Sequence, residues 1–441
     1  LRAECDAPGQ VALWANPIVF QESAALPEKP NILFYVVDSL RADHLDLYGY
    51  HRNTAPALTE FARGGAWFRK CIAPSTCTRS SMVSIFAGIE AIAHGLGCWD
   101  MAEPVVLATF PEALRSVGYT TAAFTENPCT PLAVPQRRAF CSVDDFDELT
   151  ASRDGSTFGA VQTFFQEHKN RPFFVYIHTM ECHVHFNSPE EYGYESPPSY
   201  QGLWAAGRKD HEGCYDETIR FADDNFARVL GLLRDEGLEA NTLVVFTSDH
   251  GEGFGQHPNR IIHGYEPYDE LVGVPLVMCW PGRIPSGQAI ENIVQSIDLA
   301  PTFLDILGLP PNSPFQGLSL RPLLQGERPD GLAERVLYAY EGQNLAPETS
   351  TVAIVKDRWK LFGRFPDTSK ILFDLASDPL EMTDCTPENA GLAANLEAHL
   401  TAHWPPLMDL RKKYEPLRTT AVQIMDTQWD EMLKELGNPG R

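Results

Sequence analysis

No apolar run in this 441-residue chain is longer than a β-strand. The longest, such as Asn31–Val37 and Leu243–Phe246, are far too short to cross a bilayer, so no transmembrane segment is expected. Basic residues are also scarce: 35 Lys and Arg stand against 59 Asp and Glu, a formal net charge of −24. That balance excludes the basic footprint on which non-specific nucleic-acid binding depends. There is no collagen period, no low-complexity block and no solenoid-like repeat. The ten cysteines, scattered from Cys5 to Cys385, form no Cys-x-x-Cys pair and no zinc-finger spacing, which leaves buried thiols and a few disulfides both open. A starting methionine is missing too. Leu1 in its place is expected of a processed or trimmed chain, and a removed secretory leader would put the protein in the periplasm or outside the cell rather than in the cytoplasm.

The acidic surplus has an ordinary reading, a solvated surface that keeps the protein soluble. It also sets a problem for any anionic substrate, whose site must supply local positive charge. A bound metal is the natural source.

Along the chain, residues 1–28 carry no sustained period and are expected to form an N-terminal arm. Pro30–Val37 reads as a strand covered on both faces, the signature of a parallel sheet, and it ends at Asp38. Similar runs recur at Phe173–Ile177, Leu243–Phe246 and Leu276–Cys279. Helical stretches lie between them, at Ala55–Arg63, Phe110–Val117, Phe158–His168 and Ile219–Glu236. This alternation predicts an α/β domain over residues 29–330, built on a large, mostly parallel sheet flanked by helices. From residue 331 to 406, short strands separated by turns predict a small antiparallel C-terminal subdomain, and 407–441 reads as a helical tail.

In open α/β sheets, ligands sit at the carboxyl ends of the strands. Asp38 follows the first strand, His178 to His183 the second and Asp249-His250 the third, so Asp and His side chains converge on one edge. Asp249-His250-Gly251 offers a carboxylate, an imidazole and a tight turn, although alone it is equally a plain turn. Asp38 alone could merely cap a helix. Ser75-Thr76-Cys77-Thr78-Arg79-Ser80-Ser81 opens a helix whose N–H groups can receive an anion, and a metal can lower the pKa of the Thr78 hydroxyl enough to make it a nucleophile. Without Asp38 and Asp249-His250, those hydroxyls would read as simple helix caps.

Taken together, these segments resemble sulfatase-type members of the alkaline phosphatase superfamily. Pro30-Asn31-Ile32-Leu33 through Asp38-Ser39-Leu40-Arg41-Ala42-Asp43, the helix ending at Gly88, Gly118-Tyr119-Thr120, Ser248-Asp249-His250-Gly251-Glu252, Ser296-Ile297-Asp298 and Phe373-Asp374-Leu375 carry it in the family's order, over roughly residues 29–385. The departures are as informative. Sulfatases convert a cysteine in Cys-x-Pro-x-Arg to formylglycine; here Thr78 aligns with that cysteine, and Cys77 is followed by neither the proline nor the arginine. Ser39 replaces a second aspartate, Asp249-His250 replaces Asp-Asn, and Thr125-Glu126-Asn127-Pro128 replaces Gly-Lys-Trp-His.

On these departures the resemblance implies the threonine-nucleophile, phosphodiesterase- and phosphatase-like branch. The expected activity is metal-dependent hydrolysis of small phosphate monoesters or diesters through a covalent phosphothreonine. The competing expectations are a sulfatase, a phosphoethanolamine-type transferase domain and a non-catalytic binding protein. Imidazole among the ligands favours zinc or manganese over calcium. Asp38, Thr78, Asp249 and His250 are the expected ligands of one ion. Glu181, His183 and His263 are candidates for a second, with His183 alternatively bonding substrate and His263 alternatively serving as general acid. Arg79 and Asn127 are expected to steady the transferring oxygens. Arg41 is expected at the substrate, with an ion pair in an acidic protein as its ordinary alternative. Specificity is expected from loops near residues 129–147 and 187–214. Oligomeric state leaves no sign in the sequence.

Overall fold

The computed structural model of the chain describes residues 29–98, 107–125, 127, 142–145, 156–183, 211–257, 261–333, 335–343, 345–364 and 370–435. The expected arm over 1–28 and most of the two expected specificity loops lie outside these residues.

Among the described residues, eight strands make the large sheet: β1 (Asn31–Val37), β2 (Ala66–Phe68), β3 (Thr120–Thr125), β4 (Ser142–Asp145), β5 (Phe173–Thr179), β6 (Thr242–Thr247), β7 (Leu276–Cys279) and β8 (Gln288–Ile290). Their order is β8–β2–β7–β6–β1–β5–β3–β4. The five strands from β6 to β4 are parallel. β7 departs from the sequence pattern: it runs antiparallel to both β6 and β2. A four-residue apolar run is compatible with either direction, because its burial depends on what covers the faces and not on chain sense.

β1 shows how the sequence builds this layer. Its side chains alternate, with Ile32, Phe34 and Val36 packing into one apolar cluster and Leu33, Tyr35 and Val37 into the other. Helices Thr78–Ala87, Phe110–Ser116 and Leu299–Ile306 cover the first face; Pro56–Arg63, Ser156–His168 and His211–Asp235 cover the second. The Phe34 ring meets Phe86, Phe110, Tyr176 and Phe303 with centroids 5.7–6.4 Å away, locking the strand to its helices.

Four more strands, β9 (Leu337–Tyr340), β10 (Thr351–Lys356), β11 (Trp359–Arg364) and β12 (Lys370–Asp374), form an antiparallel meander. Helix Ala390–Glu435 packs Leu396, Leu400 and Leu407 on its outer face. The expected start of a helical tail at 407 falls inside this helix, which already begins at Ala390 and runs through Pro405 and Pro406. The i, i+4 spacing of Leu392, Leu396 and Leu400 was the available signal.

The two sheets are joined by buried polar contacts. Lys360 on β11 is fully buried, 2.8 Å from Glu381 and 3.6 Å from Asp269, and Asp269 also pairs with Lys70 at 3.2 Å. Glu381 further accepts the Asp269 N–H. Replacing one partner of such a buried cluster strands the others in a low-dielectric interior. Lys360→Met is expected to cost about 3–5 kcal/mol in chemical denaturation, with partial recovery in Lys360→Met/Glu381→Gln.

Candidate functional site

β1 and β6 are neighbours, so the residues that follow them emerge side by side at the carboxyl edge. Asp38 leaves β1 with its N–H bonded to Thr179 O, and both Asp38 and Asp249 are completely buried. Between them Ser39 adopts φ 61°, a left-handed conformation unusual for serine. It brings the Ser39 N–H to Asp249 Oδ1 at 3.2 Å and the Ser39 hydroxyl to Asp38 Oδ1 at 2.7 Å. Leu40 N–H donates to the Ser248 hydroxyl, and the Tyr215 hydroxyl closes the turn by donating to Ser39 O while accepting from Arg41 N–H.

The loop after β6 is equally constrained. His250 N–H donates to Asp249 Oδ1 at 2.9 Å, and the His250 ring Nδ1 lies 2.8 Å from Gly251 O. A carbonyl can only accept, so Nδ1 carries the proton and Nε2 presents its lone pair to the site. A Cβ on Gly251 would lie 2.0 Å from Glu270 O, so no larger residue fits there without moving the turn.

Thr78 opens the wholly buried helix Thr78–Ala87, which is tied to the loop by the Ser81 hydroxyl donating to Asp249 O. Its Oγ1 lies 3.1 Å from His250 Nε2, 3.3 Å from Asp38 Oδ2 and 3.2 Å from Asn127 Nδ2, and Asn127 also donates to Asp38 Oδ2. Ligand atoms of Asp38, Asp249 and His250 all lie within 4.8 Å of one another. Asp249 Oδ2 is buried without a hydrogen-bond partner. Two converging carboxylates, a correctly presented imidazole nitrogen and an unsatisfied oxygen are a donor set that fits a divalent cation.

Other expected residues divide. The His263 ring lies 4.4 Å from that of His250 and 5.0 Å from that of His183, so the three imidazoles share one wall of the site. Glu252 accepts from His263 Nδ1 at 3.1 Å. Burial works against the charged ring, but the Glu252 carboxylate outweighs it and raises the His263 pKa to about 9. At His250 burial wins, and the pKa falls below the usual imidazole value. At Asp38 burial is opposed by His183, His178 and His250, which together hold the carboxyl well below its ordinary range.

Glu181 does not join the three-residue cluster. Its Oε1 accepts from Asn225 on the long helix His211–Asp235. Arg41 also differs from its substrate-binding expectation. Its guanidinium is paired with Asp43, donates to Glu252 O at 3.0 Å and lies over the Phe254 ring, so it braces two loops. Arg79 is buried in the first turn of the Thr78–Ala87 helix. Two residues at the site escaped the sequence reading as candidates. His178 lies 3.2 Å from Asp38, and Glu252 orients His263. Both sit inside segments already flagged, and the alternation of β5 places His178 on the same edge.

Cys77, one residue before Thr78, forms a disulfide with Cys98. A Cβ on Gly342 would meet its sulfur at 2.7 Å, so the bridge rests against the backbone that follows β9. The thiol that a formylglycine residue would require is therefore already committed.

A sequence profile for the sulfatase family matches residues 30–309. The chain belongs to the sulfatase family. A second profile, described as N-sulphoglucosamine sulphohydrolase, C-terminal, matches residues 263–404. The N-acetylgalactosamine-6-sulfatase of Sus scrofa is 24% identical over 386 residues, which cover 73% of this chain and 70% of that protein. Among solved structures, one described as a 2-O GAG sulfatase aligns with a TM-score of 0.69 at 18% identity, covering 88% of this chain and 94% of the other. The phosphonate monoester hydrolase of Agrobacterium radiobacter aligns with a TM-score of 0.67 at 19% identity, over 88% and 96%. At such identities the structures establish the shared fold: a mixed, mostly parallel sheet with a small antiparallel C-terminal sheet.

These relatives correct the expected chemistry. Hydrolysis of phosphate esters through phosphothreonine, inferred from the missing cysteine motif, is overturned by relatives named as sulfatases and by two sulfatase profiles. The physical reason is that a hydroxyl beside carboxylate and imidazole ligands specifies an in-line attack on a tetrahedral centre, without specifying phosphorus or sulfur.

The Gly251 contact generates a prediction. Gly251→Ala must displace the turn carrying Asp249 and His250, and is expected to weaken binding of a divalent metal at least about tenfold. Calorimetric titration of the metal-stripped protein checks this; unchanged affinity would show that the turn does not set the site.

Proposed function

We propose that this chain is a metal-dependent sulfuric ester hydrolase in which the Thr78 hydroxyl, in place of a modified cysteine, attacks sulfur. The observation that carries the reading is the position of Thr78 Oγ1, at the mouth of a buried helix and within 3.3 Å of both Asp38 and His250. Asp38, Asp249 and His250 would hold the ion with Thr78 beside them, and the imidazole supports zinc or manganese over calcium. When bound, the ion would favour the threonine alkoxide and offset charge on the sulfate oxygens.

The chain's own groups account for the remaining steps. The helix N-terminus and Asn127 Nδ2 orient the sulfate so that its ester oxygen points away from Thr78. Thr78 Oγ bonds to sulfur as the bond from sulfur to the ester oxygen breaks. His263, held protonated by Glu252, gives its proton to the departing alcohol oxygen. Water then attacks the threonine sulfate at sulfur, which restores the Thr78 hydroxyl and releases sulfate. The proton lost from Thr78 passes to solvent, and the attacking water returns one proton to Thr78 Oγ and one to His263, so the cycle yields the alcohol, sulfate dianion and one proton.

The relatives' names support carbohydrate sulfates as the substrates to try first. The Cys77–Cys98 bridge supports an oxidising compartment, the periplasm or the cell exterior. Among the described residues, no helix is long and apolar enough to cross a membrane.

A panel of aryl and carbohydrate sulfates, assayed with defined metal content, tests the proposal. Thr78→Ala is expected to lower kcat/KM at least about 10³-fold. Chelation should abolish turnover, and readdition of zinc or manganese should restore it. Quenched wild-type enzyme should carry a sulfuryl group on the Thr78 peptide. Undiminished turnover by Thr78→Ala, or an aldehyde at Cys77, would overturn the nucleophile assignment.

A further inference from the structure

We infer that Thr76 is a positioning residue for the general acid, its buried hydroxyl holding the His263 loop in register with the segment that carries Thr78. The inference rests on the sulfuric ester hydrolase reading above and deepens it. Thr76 is completely buried, two residues before Thr78, and each of its polar groups is engaged. Its N–H donates to Tyr340 O at 3.2 Å, and its carbonyl accepts from Gly264 N–H at 2.8 Å. Its hydroxyl donates to Tyr265 O at 2.9 Å and accepts from Gly342 N–H at 2.9 Å. One side chain thus ties the backbone just after His263 to the turn that follows β9.

The His263 loop needs such an anchor. Ile262, immediately before His263, adopts φ 70°, a conformation that a β-branched residue resists, and its side chain is exposed. Backbone of this kind persists where its neighbours hold it from both sides. On one side Ile262 pairs with Gly253, next to Glu252. On the other, Gly264 and Tyr265 are held by Thr76, and Gln343 N–H adds a longer bond to Gly264 O at 3.3 Å. Glu252 grips the His263 ring at Nδ1, so the direction of the opposite nitrogen follows the backbone on either side. A hydroxyl can donate to one backbone group while accepting from another; valine has the same shape and can do neither. That change spares both main-chain bonds of Thr76, and the Thr78 helix keeps its tie from Ser81 to Asp249 O. Loss of the hydroxyl should displace the acid and leave the nucleophile nearly in place.

Leaving groups that differ in their need for a proton make that asymmetry measurable in the full chain. A carbohydrate sulfate or plain phenyl sulfate expels a basic oxygen that needs the His263 proton, whereas para-nitrophenyl sulfate expels a stable phenolate that needs it little. Thr76→Val is expected to lower kcat/KM about 10²-fold on the esters with basic leaving groups and no more than about fivefold on para-nitrophenyl sulfate. Thr76→Ser, which restores both donor and acceptor, should bring each substrate back to within about threefold of wild type. Adding Thr76→Val to His263→Gln should cost little more, because a residue that acts through His263 has nothing left to position. Gly264→Ala reaches the same clamp from the loop side, since its Cβ would meet the Gln343 side chain at 2.8 Å. It should show the same selective loss, and it decides the matter if Thr76→Val does not fold. Equal losses on both kinds of ester, or a Ser variant no better than Val, would overturn the inference and leave the hydrolase reading intact. If the wild type hydrolyses neither kind, the hydrolase reading fails first, and this inference with it.

Discussion

Two carboxylates, Asp38 and Asp249, are buried side by side at the ends of adjacent parallel strands, and the rest of the site follows from that arrangement. Unpaired, each would cost several kcal/mol to remove from water, and together they repel. The surroundings answer with donors: the Ser39 N–H and hydroxyl, the His250 N–H and Asn127. They leave Asp249 Oδ2 without one. A fold stabilised only by packing has no reason to concentrate negative charge at its driest edge. A site built to receive a cation does, and in a chain of net charge −24 a bound cation would supply local positive charge that the surface lacks.

Holding those carboxylates still requires backbone that the wider fold must support. Ser39 adopts a left-handed φ, and Gly251 has no space for a side chain. Both are locked from several directions: Tyr215 from the long helix, Ser81 from the helix that carries Thr78, and Arg41 bridging to Glu252 O. The small C-terminal sheet contributes as well. Tyr340 N–H donates to Pro74 O and Gly342 N–H to the Thr76 hydroxyl, while the Cys77–Cys98 bridge packs on Gly342. The segment entering Thr78 is thus fixed by the second sheet, so the small sheet helps set where the Thr78 hydroxyl lies.

Much of this was legible in the sequence, for identifiable reasons. Pro30–Val37 is a near-continuous apolar run followed by aspartate, and the structure returns that strand as Asn31–Val37, without the proline. Asp249-His250 follows a second such run, so their convergence with Asp38 needed only the rule that parallel strands expose the same end. What sequence could not supply is pairing and direction. Leu276–Cys279 has the same apolar signature as the parallel strands yet runs antiparallel. Arg41 is a cation near the site in sequence and an ion-pair brace in space, because Asp43 two residues on takes both arms of its guanidinium. Glu181 shares a segment with His178 and His183 but turns toward Asn225, since a turn follows β5 and side-chain direction there is not periodic. Cys77 gave no sign of its partner, because twenty-one positions separate it from Cys98.

On the proposed reading, the choice between a phosphate monoester and a sulfate monoester turns on charge, which a list of ligand types does not weigh. With a divalent cation in place, Asp38 and Asp249 would balance it and Glu252 would balance a protonated His263, so the groups nearest Thr78 would sum to little net charge. A phosphate monoester brings two negative charges at neutral pH and would need additional cations in contact with its oxygens. A sulfate monoester brings one charge, which the helix N-terminus above Thr78 and the Asn127 amide can meet with hydrogen bonds alone. Under the proposed sulfuric ester hydrolysis, the substitutions that separate this chain from the cysteine-dependent pattern would alter how the nucleophile is made and leave the site suited to a singly charged ester.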